Sequence, residues 1–268
     1  MTGPPASHSA PDALKLVKNK TVSIIGCPFN AGQGRGGVEL GPDSLLQAGL
    51  LDQLTSLGWK IDFDGNLSLA SSLPTQDPPM GKMKNPRSVS EMTKQVASIV
   101  SQKAKSGSIP LTLGGDHSLG LATVLGSLSA HPDLALIWVD AHADINTPDT
   151  TDSGNLHGCP VSFLLDLPGT KVEPFSSWLP GPASTFLDAK RLVYIGLRDV
   201  DVGEKAILKE HGIKAYSMHE IDRYGIGAVM EMALDYINDG VKGKRDRPIH
   251  LSYDVDAVSG SGDGTRAK

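Results

Sequence analysis

Two carboxylates and an imidazole occupy alternate positions of this chain, directly after an apolar run. Asp140, His142 and Asp144 follow the segment 134–139. Because side chains at i, i+2 and i+4 of an extended backbone point to one face, all three can converge on a cation. The spacing therefore predicts a metal site.

Two other parts of the chain carry residues of the same types in the same context. His117 follows the apolar run 109–113, and a second Asp pair follows the run 249–253. Asp and His also cap helices and turns, but caps alone do not explain six such residues after strand ends. Open α/β sheets bind ligands beyond the carboxyl ends of their strands. The predicted metal ligands are His117, Asp140, His142, Asp144, Asp254 and Asp256.

The ligand types indicate which metal and which chemistry to expect. Carboxylates with a minority of imidazoles favour a hard or borderline divalent ion such as Mn²⁺ over a thiolate site. Neither Cys27 nor Cys159 belongs to a ligand pattern. Six ligands suit a two-metal centre with bridging carboxylates, which lowers the pKa of a bound water and makes it a nucleophile for hydrolysis. A Ser/His/Asp triad is the rival use of these residues, but the chain has no Gly-x-Ser-x-Gly motif.

A polar loop at 151–160 separates the metal clusters along the chain. Its Ser153 and Asn155 can donate hydrogen bonds to a carboxylate, and His157 can carry a proton near neutral pH. The alternative is a surface turn rich in polar residues.

Two further motifs have open interpretations. Asp199, Asp201 and Glu204 follow the run 192–197 and are either helix-capping acids or ligands for a substrate amine. The glycine-rich segment 32–37 lacks both the ending of a P-loop and the spacing of a dinucleotide motif. It is predicted to be a plain flexible loop.

The elements that must position these residues alternate in βα order. Short, nearly continuous apolar runs predict strands covered on both faces, as in a parallel sheet. Apolar residues at helical spacing predict helices, one of them beginning with a capping box at Ser88 and Glu91. The predicted strands are 21–26, 109–113, 134–139, 192–197 and 249–253, and the predicted helices are 42–57, 88–106 and 221–239.

Composition narrows the class of protein. A chain of 268 residues, 39% of them hydrophobic, suits one large α/β domain. The net charge of −5 and the lack of a basic block argue against nucleic acid or an anionic membrane as partner. Segment 1–20 holds three prolines and no continuous apolar core, so we expect no leader or membrane span and a cytoplasmic location. The two cysteines are expected to be reduced thiols.

Five motifs resemble, in order along the chain, those of the ureohydrolase superfamily and within it the arginase family. The likeness runs from about Thr21 to Asp256. Two of the motifs would suit agmatinase or formiminoglutamase as well, whereas Asn146 together with the loop 153–157 is typical of arginases. The motifs are Gly-Gly-Asp-His-Ser at 114–118, Trp-Val-Asp-Ala-His-Ala-Asp-Ile-Asn-Thr at 138–147, Ser-Gly-Asn-Leu-His-Gly at 153–158, Gly-Leu-Arg-Asp-Val-Asp at 196–201 and Ser-Tyr-Asp-Val-Asp at 252–256.

This resemblance implies a fold, a reaction and a metal content. The fold is a three-layer α/β/α sandwich around a mainly parallel sheet, assembled as a homotrimer. The reaction is hydrolysis of L-arginine to L-ornithine and urea, with two Mn²⁺ per subunit. One ion is implied to bind His117, Asp140, Asp144 and Asp254, and the other Asp140, His142, Asp254 and Asp256.

The resemblance also implies roles for the polar residues around the metals. Asp144 helps to move a proton to the leaving amine, and His157 shuttles protons to and from solvent. Asn146, Ser153 and Asn155 receive the α-carboxylate of the substrate. The residues implied in substrate binding are, in full, His142, Asn146, Ser153, Asn155, Asp201 and Glu204, with Asp201 at the α-amino group.

The chain departs from the family pattern after Asp256. Arginases continue with further strands and helices and with a Glu that binds the guanidinium, whereas here a divergent Gly- and Ser-rich tail occupies 257–268. We therefore expect a flexible segment at 1–20, an incomplete catalytic domain at 21–256, an exposed hydrophobic sheet edge and weak or no activity. The alternative function is a non-catalytic subunit that binds metal or associates with full-length arginase.

Overall fold

The computed structural model describes residue 17 and residues 19–68, 73–181 and 186–258 of the chain. The predicted flexible segment 1–20 and the divergent tail 257–268 lie almost entirely outside the described residues. No helix among the described residues is both long and apolar enough to cross a membrane.

The described residues contain seven strands and eight helices, which follow one another mostly in βα order. The strands are β1 (Thr21–Cys27), β2 (Lys60–Asp62), β3 (Ile109–Gly114), β4 (Ala135–Val139), β5 (Leu192–Leu197), β6 (Lys214–Ser217) and β7 (Ile249–Tyr253). The helices are α1 (Gly41–Gln47), α2 (Leu50–Ser56), α3 (Pro86–Lys105), α4 (Leu119–Ala130), α5 (Pro160–Leu164), α6 (Val202–Glu210), α7 (Met218–Tyr224) and α8 (Ile226–Ile237).

The strands form two sheets in which every described pair is parallel. The first has the order β2-β1-β3 and the second the order β6-β5-β4-β7. Helices α3 and α4 pack on one face through the largest hydrophobic cluster, while α8 covers the opposite face of β4 and β5. Helices α1 and α2 cover that same opposite face on the first sheet. This three-layer α/β/α arrangement confirms the predicted fold class.

Strand β4 shows how alternation divides the core between the two faces. Leu136 and Trp138 belong to the cluster beneath α3 and α4, and Ala135 and Ile137 to the cluster beneath α8. All four side chains are buried. The strand is therefore fixed by packing on both faces and by hydrogen-bonded neighbours on both edges.

Strand β7 differs from β4 although its sequence is also apolar. It has one hydrogen-bonded neighbour, β4, among the described strands. Ile249, Leu251 and Tyr253 are 41%, 58% and 49% exposed. The exposed apolar strand that the family resemblance predicted is present. The prediction that 249–253 is covered on both faces is wrong for the face that carries these three side chains.

Two of the predicted helices are broken by glycine. The helix predicted at 42–57 is interrupted at Gly49, whose φ is 89°, and the one predicted at 221–239 is interrupted at Gly225, whose φ is 81°. Positive φ is easily adopted only by glycine, so each glycine allows a change of direction between two short helices. The apolar periodicity predicted the helical content but not the breaks.

Helix α3 is confirmed as an amphipathic helix, with Val96 and Val100 among its buried residues. Its predicted capping box is wrong, because Pro86 begins the helix two residues before Ser88. The carboxylate of Asp77 instead accepts a hydrogen bond from the Ser88 amide at 2.6 Å. A residue outside the helix thus satisfies a free N–H of its first turn.

Candidate metal centre

Three parallel strands bring the predicted ligands to one edge of the fold. Strands β4 and β7 pair in register up to Val139 and Tyr253, and the Asp254 amide then donates to the Val139 carbonyl at 2.9 Å. His117 lies in the turn between β3 and α4. The residues that follow these carboxyl ends therefore meet, as the topology of an open sheet requires.

Two groups of side chains are arranged so that each could hold one cation. In each group the potential ligand atoms lie within 4.8 Å of one another. Asp140 belongs to both groups, so its carboxylate can contribute to two ions at once. The first group is His117, Asp140 and Asp254, and the second is Asp140, His142 and Asp256.

The ring of His117 is held from two sides. It stacks on Trp138 with ring centroids 4.2 Å apart. One ring nitrogen, Nε2, lies 2.8 Å from Ser252 Oγ, and the other, Nδ1, lies 3.0 Å from a carboxylate oxygen of Asp140. Orientation of this kind by a hydrogen bond to the far nitrogen is typical of metal-binding histidines.

Asp140 is the most enclosed carboxylate of the cluster. Trp138 Nε1 donates to its Oδ2 at 3.1 Å, and the His142 amide donates to its Oδ1 at 2.8 Å. Burial alone would raise the pKa of Asp140, but hydrogen bonds from His117 and His142 and the charge of His117 lower it well below the usual value. The group is therefore an anion in the folded protein.

Asp144 lies beside the two groups and belongs to neither of them. Its Oδ2 is 3.0 Å from His117 Nδ1. Burial, followed by repulsion from Asp140, raises the pKa of Asp144 to about 8. Its backbone has a φ of 49°, a strained conformation for a residue other than glycine. The predicted ligand is thus at the centre, with its carboxylate turned toward His117.

The charges of this cluster fit a divalent cation. Carboxylates on either side raise the pKa of His142 to about 11, with Asp140 and Asp256 contributing most. For His117, burial opposes the same effect, yet three carboxylates raise its pKa well above the usual value. The donors are oxygens and imidazole nitrogens, and neither buried cysteine belongs to either group. Such a set suits a hard or borderline divalent ion.

Asn146 and Asp201 form one side of the polar surroundings. Asn146 Nδ2 donates to Asp201 Oδ2 at 2.7 Å. The other Asp201 oxygen accepts from the Glu204 amide, and Glu204 accepts from the Asp201 amide, so the pair forms a capping box at the start of α6. The helix-cap interpretation is therefore correct for both acids. One oxygen of Asp201 also remains directed toward Asn146, while Asp199 is exposed at 3.8 Å from His142 Nε2.

Asn155 is a buried amide with unused hydrogen-bonding capacity. Its Oδ1 has no hydrogen-bond partner among the residues that the structure describes. Its backbone amide donates to Ser153 Oγ at 3.2 Å, and Ser153 itself is exposed. A buried polar atom without a partner costs free energy, so this position is suited to a polar ligand.

His157 lies on a short 3-10 turn, Leu156–Gly158. Its backbone amide donates to the Gly32 carbonyl at 2.9 Å. Burial lowers the pKa of the imidazole, and the nearby charge of Asp116 opposes that effect. The glycine-rich segment after β1 therefore touches the site and is more than a flexible connection.

Sequence analysis missed three residues that support the predicted ligands. Trp138 and Ser252 contact His117, and Asp116 binds the loop that holds His157. For Trp138 and Ser252 a signal existed, because each lies two positions before a predicted ligand on the same face of its strand. No local pattern indicates the contact of Asp116, whose partner is distant in sequence.

The arginase family model matches residues 20–261 of this chain. The arginase of Glaciozyma antarctica is 53% identical over 250 residues, which cover 92% of this chain and 70% of that protein. Arginase-1 of Homo sapiens is 51% identical over 246 residues, which cover 91% of this chain and 73% of that protein. The chain thus spans about 70% of the length of these relatives.

Solved structures agree with the sequence relatives. The native structure of arginase from Bacillus caldovelox superposes with a TM-score of 0.77 at 35% sequence identity, covering 88% of this chain and 76% of that one. The cold-adapted arginase of Glaciozyma antarctica gives a TM-score of 0.72 at 48% identity, covering 90% and 77%. The expected family resemblance is confirmed, and the chain belongs to the arginase family.

Proposed function

We propose that this protein is an arginase that hydrolyses L-arginine to L-ornithine and urea with two Mn²⁺ ions per subunit. The observation that carries the proposal is the shared carboxylate of Asp140, which belongs to both candidate ligand groups. A bridging carboxylate between two neighbouring sites is the arrangement that a two-metal centre requires. The family of the chain supports the same reaction.

His117, Asp140 and Asp254 would hold one ion, and the carboxylate of Asp144 is turned toward His117. His142 and Asp256 would hold the second ion together with Asp140, which both groups share. When bound, a pair of such ions lowers the pKa of a water molecule and makes it a nucleophile near neutral pH.

The remaining site residues bind substrate and move protons. Asn155 is a buried amide whose Oδ1 has no hydrogen-bond partner among the described residues. A carboxylate accepts hydrogen bonds, so Asn155 would receive the α-carboxylate of an amino acid through its Nδ2. Asn146 and Ser153 can donate to that carboxylate. Asp201, whose Oδ2 accepts from Asn146 Nδ2, would receive the α-amino group, with Glu204 beside it in the capping box. His157 exchanges protons with solvent, and Asp144 carries one to the leaving amine.

Urea release from L-arginine tests the proposal. Purified protein saturated with Mn²⁺ should release urea from L-arginine, and removal of metal by a chelator should abolish the release. Agmatine is the matched control substrate, because it keeps the guanidinium but lacks the α-carboxylate. Folded, metal-loaded protein that releases no urea contradicts the proposed activity, and a preference for agmatine would assign the chain to another ureohydrolase specificity.

The exposed face of β7 supports a second candidate function, that of a metal-binding subunit that associates with full-length arginase. Ile249, Leu251 and Tyr253 expose apolar surface on one face of β7, which has one hydrogen-bonded neighbour among the described strands. Exposed apolar edge strands favour pairing with another chain. Co-expression with a complete arginase followed by size-exclusion chromatography should then yield a mixed oligomer. Separate elution of the two proteins contradicts it.

We further propose a cytoplasmic homotrimer with residues 21–256 as its catalytic domain. Sedimentation of the purified protein measures the subunit number directly. A monomer at micromolar concentration contradicts the trimer and leaves the proposed reaction untouched.

A further inference from the structure

The segment 30–37, here named the glycine loop, is fixed to a buried carboxylate beside the candidate metal centre. The Gly32 amide donates to Asp116 Oδ2 at 2.8 Å. The other oxygen of Asp116 accepts from the Ser118 amide at 3.0 Å and from Ser118 Oγ at 2.5 Å. Asp116 is buried, and both of its carboxylate oxygens accept hydrogen bonds from the protein. This carboxylate therefore connects the turn after β3 to the loop after β1.

The same loop residue binds the turn that carries His157. The carbonyl of Gly32 accepts a hydrogen bond from the His157 amide at 2.9 Å. Gly32 thus donates to Asp116 with its N–H and accepts from His157 with its C=O.

The contact between the glycine loop and the Asp116 turn leaves no room for a side chain at Gly32. A Cβ there would lie 2.5 Å from Asp116 Oδ1 and 2.8 Å from Ser118 Oγ. Gly36 in the same loop differs, because a Cβ there meets only Glu39 Oε1 at 3.5 Å and Asn30 Nδ2 at 3.8 Å. The requirement for glycine at position 32 comes from close approach, and it does not extend to position 36.

We propose that Asp116 and Gly32 are positioning residues for His157. Asp116 fixes the glycine loop, the Gly32 carbonyl fixes the Leu156–Gly158 turn, and the imidazole is thereby held at a set distance from the metal ligands. Asp116 is adjacent to His117 in sequence, so one buried carboxylate couples the ligand turn to the proton carrier. The inference rests on the proposed function only in the role it gives to the His157 side chain.

Hydrogen exchange tests whether the glycine loop holds the turn that carries His157, without any activity measurement. In Gly32→Ala the Cβ displaces the loop from Asp116, and exchange of the His157 amide should become about tenfold faster. The matched control Gly36→Ala, in the same loop, should leave this amide unchanged. Equal protection in wild type and Gly32→Ala, in folded protein, overturns the proposal.

A second pair of variants tests whether the carboxylate of Asp116 is needed to hold Gly32. Asp116→Asn keeps the size of the side chain but can no longer accept from both Gly32 and the Ser118 amide. Ser118→Ala removes only the hydroxyl that donates to the oxygen not used by Gly32. Faster exchange at His157 in Asp116→Asn and not in Ser118→Ala supports the proposal, and the same acceleration in both variants contradicts it.

Kinetics distinguish positioning from a general loss of structure. Gly32→Ala should lower kcat for L-arginine about tenfold or more while KM stays within about twofold, because a displaced proton carrier affects turnover more than binding. Bound manganese should be the same as in wild type. In the His157→Asn background, which keeps the main-chain hydrogen bond but lacks the imidazole, Gly32→Ala should cause no further loss of kcat.

An equal tenfold loss in the His157→Asn background would show that the loop acts on something other than His157, and it would overturn the proposal. Wild-type protein without urea release contradicts the proposed function alone, and the exchange measurements still decide whether the loop holds the turn.

Discussion

Strands β4 and β7 lie side by side in register and supply every candidate ligand except His117, yet their surroundings are opposite. Strand β4 has a hydrogen-bonded neighbour on each edge and buried side chains on both faces. Strand β7 has one described neighbour and an exposed apolar face. The aspartates reflect this difference, since the Asp140 side chain is 1% exposed and that of Asp256 is 35% exposed, whereas His142, which also follows β4, is 37% exposed.

This difference separates a rigid half of the candidate site from an adaptable half. The position of Asp140 is determined by Trp138, by the His142 amide and by the packing of the preceding strand β4 against both helical layers. Asp256 accepts a hydrogen bond from the Ala141 amide with its Oδ1 and donates its own amide to Asp254 Oδ1. Its other carboxylate oxygen lies 3.1 Å from His142 Nδ1, and Arg198 donates to its carbonyl. In such a site the contacts within the protein fix the central ligand, whereas the geometry of the outer ligands depends on what surrounds β7.

The largest effect expected from this comparison concerns the two carboxylates themselves. In the proposed two-ion centre, Asp140→Asn removes the charge shared by both ligand groups, so bound manganese should fall from two ions toward none and urea release should fall by more than about 100-fold. Asp256→Asn affects one group and should leave one tightly bound ion. Metal analysis after gel filtration and a urea assay measure both effects.

Thermal unfolding of the metal-free protein is the control for these two variants. Asp140→Asn leaves His117 buried without its carboxylate partner, and this loss also destabilises the fold. Equal loss of metal in the two variants would show that the site is not divided as the burial of its ligands indicates.

The next effect concerns a pair of apolar residues in the same register. Ile137 on β4 is paired with Leu251 on β7, and only Ile137 is buried. Ile137→Ala should lower the free energy of unfolding by about 3–4 kcal/mol through lost burial and a cavity, and Leu251→Ala by less than about 1 kcal/mol. Guanidinium denaturation measures both. A large loss in Leu251→Ala would mean that a partner or a second copy covers β7 in solution.

The central part of the site could be predicted from the sequence because its signals are local. Asp and His spaced two apart directly after an apolar run mark Asp140 with His142 and Asp254 with Asp256 as candidate ligands. The extended backbone assumed for them is not what the structure has, since residues 140–142 form a bend and Asp256 lies in the 3-10 turn Val255–Val258. The strands 192–197 and 249–253 were predicted with the bounds that the structure shows. Parallel strands then place their carboxyl ends at one edge.

The supporting contacts could not be predicted, because they join distant parts of the chain. Nothing near His157 indicates that its amide binds Gly32, and nothing near Ser88 indicates that Asp77 caps its helix. The breaks at Gly49 and Gly225 were also missed, since glycine within a helical pattern is compatible with either a continuous or a broken helix. The exposed face of β7 has the same apolar composition as a buried one, so burial depends on the neighbouring layers.

The smallest effect in this comparison is a dependence of stability on pH, and it concerns the other face of the same two strands. Leu136 on β4 is paired with His250 on β7, beneath helix α4, where His250 Nδ1 lies 2.9 Å from Ser127 Oγ. Burial lowers the pKa of His250 to about 4, against an ordinary value of 6.5. The strand with the open face therefore carries a titratable group where its neighbour carries a leucine.

The sign of the effect follows from which state binds the proton. Between pH 6.5 and pH 4 the unfolded chain protonates His250 and the folded chain does not, so stability falls as the pH is lowered through this window. The full shift corresponds to at most about 3 kcal/mol, of which about 2 kcal/mol is lost between pH 6.5 and pH 5. Guanidinium denaturation of metal-free protein at pH 7 and pH 5 should show this loss in wild type and a smaller one in His250→Gln, whose side chain does not titrate. Because the histidines of the metal cluster have raised pKa values and act in the opposite direction, the difference between the two proteins, and not the slope of either, isolates His250. An identical pH dependence in both proteins would mean that β7 opens enough to hydrate the His250 ring. The adaptable region around β7 would then extend beneath α4.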